Sequence, residues 1–166
     1  MAREDTMDRT KISYQSGDAT TPSIGGSAII AHLCNDLGRW GKGFVVAVSA
    51  RWPEPERAYR DWYRQRESND FALGAVQFVR VSADFHVANM IGQHGIRSSA
   101  GGPPIRYEAV DQALERLAEF AAASNASVHM PRIGCGLAGG TWDRIEPLIH
   151  ARLSSRGVSV LVYDLD

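Results

Sequence analysis

The chain has 166 residues, 44 % of them hydrophobic and 22 % charged, with a formal net charge of −1. That length suits one domain with a real core, and the near-zero charge excludes a surface dominated by phosphate-neutralising side chains. An anionic ligand therefore has to be met by a local site. No apolar run approaches the roughly 18 residues of a membrane span. The start "MAREDTMDRT" is charged and lacks a secretory core. The two cysteines, Cys34 and Cys135, show neither CxxC nor zinc spacing. A reduced, cytoplasmic protein with no metal site is the expectation.

Residues 1–10 are polar and aperiodic and read as a flexible tail before a single domain over 11–166. A first strand is predicted at 12–15. It runs into "SGDATTPSIGG", where Asp18 is placed either to accept hydrogen bonds from an amino group, such as that of adenine, or to cap a turn. The apolar run at 27–33 predicts a strand buried on both faces. After it comes "CNDLGRWGKGF", with Gly38, Gly41 and Gly43 ahead of an apolar helix at 43–52. Glycines there let backbone N–H groups approach a ligand, and a helix N-terminus favours an anion. Asn35 and Asp36 leave the strand end facing that space and suit a sugar hydroxyl or a water.

"PEPERAYRDWYRQR", with prolines and acids first and arginines last, predicts a helix at 53–66. Strands are predicted at 75–81 and 85–91. The stretch 105–123 sets Tyr107, Val110, Leu114, Leu117 and Ala121 at three- and four-residue steps, an apolar helical stripe. A short strand at 127–130 precedes "PRIGCGLAGGTW", a second strand, glycine loop and helix succession. Its glycines match neither a P-loop, since no GK[ST] follows, nor a first-unit dinucleotide fingerprint. The last helix is predicted over 141–157, with Pro147 in or near its first turn and Gly157 at its end. A strand at 158–163 closes the chain. Helices alternating with buried strands imply an α/β layered domain with helices on both faces, whose ligand lies beyond the carboxyl ends of the strands. Two glycine loops and an acidic turn there suit a nucleotide-like ligand carrying phosphates.

The succession "ISYQSGDAT", "AHLCNDLGRWGKGFVVAV", "VANMIGQHG…PPIRYEAVDQAL" and "MPRIGCGLAGGTW" resembles the macrodomain family over 11–166. Within it, the chain resembles the branch of terminal ADP-ribose protein glycohydrolases, DNA-directed antitoxin macrodomains and a chromatin-remodeller reader domain. The resemblance implies a three-layer α/β/α sandwich with a central mixed sheet that binds ADP-ribose and needs no cofactor. By position, Asp18 would hold the adenine amino group and Ala19 would offer a backbone contact. Asn35 with Trp40, Gly41, Lys42 and Gly43 would line the distal ribose. Ile133, Gly134, Cys135, Gly136, Leu137, Ala138, Gly139 and Gly140 would cradle the diphosphate.

The chain departs from that branch at two points. Its catalytic Lys position falls at or beside Gln93, and its catalytic Asp position is Ala138. The expectation is a hydrolase that removes mono-ADP-ribose from Glu or Asp without the Lys–Asp pair, through a water oriented by Asn35, Asp36, Gln93 or the ligand's own phosphate. His94, beside Gln93, reads either as an acid–base candidate or as a surface loop histidine. The alternatives are a non-catalytic ADP-ribose reader and a phosphatase acting on an ADP-ribose phosphate ester. Lack of both catalytic residues favours the reader; the single-domain architecture favours the enzyme. The partners expected are ADP-ribose and mono-ADP-ribosylated proteins, with nucleic acid disfavoured and no membrane.

Overall fold

The computed structural model describes residues 8–22 and 25–165. Within them lie strands β1 (Ser13–Ser16), β2 (Ala28–Asn35), β3 (Val76–Arg80), β4 (Phe85–Gln93), β5 (Ser127–Met130) and β6 (Val160–Asp164). They form a mixed sheet in the order β1-β6-β5-β2-β4-β3. Every pairing is parallel except that of β3 with β4. The helices are α1 (Phe44–Arg51), α2 (Glu54–Arg64), α3 (Tyr107–Ser124) and α4 (Trp142–Arg152).

Strand periodicity assigns the two faces. On β2, Ile29 and Ala31 pack with α3 and α4, while Ile30 and Cys34 pack with α1 and α2. On β4, Ala88 and Met90 face the first layer, and Val87 and Ile91 the second. Successive side chains point to opposite faces, so a continuous apolar run is what a doubly covered strand requires. The result is the three-layer α/β/α sandwich. Each large side chain that is fully buried, such as Ile29, Leu114, Leu117 or Ile149, contributes about 1.5–3 kcal/mol of transfer free energy.

The helices follow their local signals. The stripe of α3 buries Val110, Leu114, Leu117 and Ala121. Asn125 ends that helix in the left-handed region, at φ 49°, and its N–H returns to Ala121 and Ala122. Gly157, at φ 81°, closes the 3-10 turn after α4. Pro147 differs from expectation. With α4 starting at Trp142 it lies inside the helix, past the first turn. Of the tail expected at 1–10, residues 1–7 lie outside the described residues, and 8–10 form a turn in which Lys11 N donates to Asp8 O at 3.1 Å. No helix among the described residues is long and apolar enough to cross a membrane.

Two strands run further than the apolar pattern predicts. β2 continues to Asn35 and β4 to Gln93, and these polar residues pair across a register shift after Cys34. Parallel alignment brings the ends of β1, β2, β4, β5 and β6 to one edge of the sheet.

Candidate functional site

A cleft of about 460 Å³ opens at that edge. Gly17, Asp18 and Ala19 after β1 form one end, and Gln93 at the tip of β4 lines it near the other. Between them lie Lys42 to Val45 at the start of α1, residues 131–134 and 136–138 after β5, and Tyr163 and Leu165 at the end of β6.

The loop from β5 to α4 is fastened by its backbone. Gly140 N donates to Gly134 O at 2.7 Å, Gly139 N to Gly136 O at 3.0 Å, and Ile105 N to Ala138 O at 3.0 Å. Three of its glycines are needed for packing. A Cβ on Gly134 (φ +75°) would stand 2.6 Å from Ile105 Cδ1, one on Gly139 2.5 Å from Pro103 Cβ, and one on Gly140 2.6 Å from Gly134 O. Gly136 is different, because a Cβ there meets nothing within 4 Å. The amides of Gly136, Leu137 and Ala138 donate to no other group among the described residues, and all three residues line the cleft. Consecutive open N–H groups of this kind form an anion-binding concavity. Cys135, Gly139 and Gly140 stand outside the lining. Burial raises the Cys135 thiol, with Arg132 opposing more weakly, so it is not an activated nucleophile. Cys34 and Cys135 are both free.

The loop from β2 to α1 is fastened by side chains. Asn35 Nδ2 donates to Arg39 O at 2.7 Å. Its Oδ1 accepts from Leu37 N at 2.9 Å, Arg39 N at 3.3 Å and the Tyr59 hydroxyl at 3.0 Å. Asn35 is 8 % exposed and does not line the cleft. Its carboxamide is committed to its own turn. Trp40 is likewise buried, with Nε1 donating to Ser49 Oγ at 2.7 Å and its ring packed against His32 and Tyr59. Gly41 is exposed and outside the lining. Lys42 and Gly43 do line the cleft. Gly43 (φ 84°) precedes α1 with no side-chain cap and no acid in the first turn, which leaves the positive end of that helix open to the ligand space.

Asp18 caps a turn at the cleft. Its Oδ1 accepts from Thr20 N at 2.8 Å and Thr20 Oγ1 at 2.7 Å, making a turn, and the residue lines the cleft. Asp36 does not line the cleft. Its carboxylate accepts from Gly95 N at 2.8 Å and holds His94 Nδ1 at 2.7 Å. Asp36 N also donates to Gln93 O at 3.0 Å, which ties Asp36 to the backbone of a cleft-lining residue. Ala138 is buried in the cleft wall at 3 % exposure. His32, in the floor, is held neutral by burial, its pKa lowered to about 4. Asn89 Nδ2 donates to Pro55 O and Gln77 Oε1, which turns Asn89 Oδ1 towards His32 Nε2 at 2.6 Å.

A macrodomain protein from Streptomyces coelicolor has a solved structure 62 % identical to this chain, with a TM-score of 0.84, covering 93 % of this chain and 99 % of that one. The chain belongs to the macrodomain family. No family model matches it. Among curated proteins, a mouse chromodomain-helicase-DNA-binding protein 1-like is 33 % identical over an alignment of 172 positions that covers 98 % of this chain. This macrodomain spans only 19 % of that relative's length. An ADP-ribose 1''-phosphate phosphatase of Lodderomyces elongisporus is 27 % identical over 165 residues, covering 92 % of this chain and 99 % of that protein.

Several lining residues of the macrodomain cleft escaped the reading of its motifs. Arg132 lines it, ion-paired to Asp164 at 2.7 Å, and so do Phe44, Tyr163 and Leu165. Arg132 directly precedes the glycine loop, and Tyr163 ends a buried strand. The rule that ligands meet strand ends was the signal for both.

Proposed function

We propose that the cleft binds ADP-ribose and that the protein hydrolyses its ester to glutamate or aspartate side chains. The observation that carries the binding half is the row of unpaired amides at 136–138, facing the same cleft as the open N-terminus of α1 and, at its far end, Asp18. Backbone donors meet a diphosphate without a basic surface, which agrees with the net charge of −1. Asp18 addresses the adenine amino group, and the distal ribose lies towards Gln93. Free ADP-ribose and mono-ADP-ribosylated proteins are the partners under this reading.

The ester is the linkage this site suits. Water adds its oxygen to the anomeric carbon, and the acyl oxygen leaves with the bonding pair as a carboxylate. Such a leaving group has a pKa near about 4 and needs no general acid, so Ala138 in place of an acid is tolerable. Gln93 orients the water, the diphosphate or solvent takes its proton, and binding that favours a strained ribose supplies the rest. The poor leaving groups of Ser and Arg linkages require the missing acid.

The full-length likeness to an ADP-ribose 1''-phosphate phosphatase supports a second reading, in which the group removed from the same position is phosphate. The test mixes the pure protein with proteins mono-ADP-ribosylated on Glu, on Ser and on Arg, and with ADP-ribose 1''-phosphate, and follows free ADP-ribose. Release from the Glu substrate alone supports the ester reading. Release from the phosphate alone selects the second. Tight binding of ADP-ribose by calorimetry without any release makes the domain a reader.

A further inference from the structure

The row of strand ends continues past Gln93. A second cavity, of about 640 Å³, opens against the first turn of α3, with Leu73, Gly101, Pro103 and Ile105 around it. Leu73 precedes β3, the strand beyond β4, so this hollow lies past the Gln93 end of the cleft. The wall between the two is thin. Gln93, in the cleft, is bridged to Ile105, in the second cavity. Ile105 N also donates to Ala138 O, whose residue lines the cleft.

Two guanidinium groups line this cavity with their orientations already set. Arg106 Nη1 donates to the carbonyls of Pro103, Pro104 and Ile105 at 2.8, 3.2 and 3.0 Å. Arg144 stands 3.7 Å over the ring of Tyr107, whose hydroxyl accepts from Thr141 N at 3.1 Å. Neither arginine pairs with a carboxylate among the described residues. Elsewhere on the same layer, Arg152 and Arg156 are paired with Asp111 and Glu115. A guanidinium aligned by carbonyls or by stacking still presents its remaining N–H fork to an outside acceptor. One carboxylate, Glu108, lines the cavity against the two arginines.

We propose that this cavity docks the acidic peptide segment flanking an ADP-ribosylated glutamate or aspartate, with Arg106 and Arg144 receiving its carboxylates. The proposal rests on the ADP-ribose reading of the cleft. A modified side chain lying at the Gln93 end leaves its own main chain beside Ile105, and Leu73, Pro103 and Ala109 supply apolar walls for it. Charge complementarity then favours acceptors set among further acidic residues.

The test measures affinities of the whole protein for free ADP-ribose and for peptides carrying ADP-ribose through a stable oxime linkage. One peptide is flanked by Glu and Asp, another by Gln and Asn, and a third probe is an ADP-ribosylated oligonucleotide. The acidic peptide should bind about five- to tenfold more tightly than the neutral one. Arg144→Glu and, separately, Arg106→Gln should erase that preference and leave free ADP-ribose affinity unchanged. Equal affinities in the wild type, a preference that persists in both variants, or stronger capture of the oligonucleotide would each overturn the docking proposal. Absence of free ADP-ribose binding in the wild type would instead bring down the reading of the cleft, and the docking proposal with it.

Discussion

The two glycine-bearing loops at the carboxyl edge share a plan of buried strand, turn and helix, yet they are held by opposite means. In the β2–α1 loop a side chain, Asn35, bonds the turn from inside. In the β5–α4 loop glycines pack against Ile105 and Pro103, and the amides of 136–138, residues that line the cleft, are left open. A polar side chain beside a cleft can thus serve its own turn, and an alanine in a loop still offers its backbone N–H. Both loops also stand on strands that carry a buried, neutral histidine, His32 on β2 and His129 on β5.

Acid removes both supports together and should have the largest effect. Burial lowers His32 and His129 to about 4, below the ordinary value near 6.5. The unfolded chain thus takes up protons that the folded one refuses. Stability is complete above about pH 6.5 and declines as pH falls towards 4, by on the order of 3 kcal/mol per histidine. Urea unfolding at pH 7, 5.5 and 4.5 should show the decline, and His129→Gln should remove about half of it. A flat wild-type profile would mean that neither histidine is buried neutral.

Next comes the packed side of the second loop. Gly134→Val sets a branched side chain at φ +75° against Ile105, and overpacking plus backbone strain should cost about 3 kcal/mol or more. Thermal unfolding should shift down by roughly 10 °C. The open side behaves differently, because Gly136→Glu meets empty space. It should leave the melting temperature within about 2 °C and weaken ADP-ribose at least about a hundredfold, through bulk and like charge in the cradle. Unchanged affinity there would refute the assignment of the loop.

The first loop should respond the other way round. Asn35→Ala removes the clamp and strands backbone donors, at a cost of about 2 kcal/mol in stability, while ADP-ribose affinity moves less than about threefold. Collapse of affinity at full stability would put Asn35 in contact with ligand and reverse the contrast between the loops. Lys42→Ala should have the smallest effect. Lys42 is exposed at the cleft mouth, so a loss of about two- to fivefold that fades with added salt is expected.

The sequence by itself determined the layers, the strand and helix order, the covered sheet and the edge where a ligand would lie. These follow from near-continuous apolar runs, one helical stripe and glycines after strands, all of them local or periodic signals. It also determined that Ala138 carries no acid. Tertiary structure alone decided which loop residues face the cleft, because that depends on partners distant in the chain. Asn35 turned inward to Arg39 and Tyr59, and Asp36 was taken by His94 and Gly95, 58 and 59 residues away. Gly134, Gly139 and Gly140 were claimed by Ile105 and Pro103, while the consecutive amides of 136–138 were left open. The physical reason is that a loop glycine or a strand-end amide looks the same in sequence whether its surroundings are packed or open. Only the approach of α3 and the segment before it made one side of the glycine loop solid and left the other open.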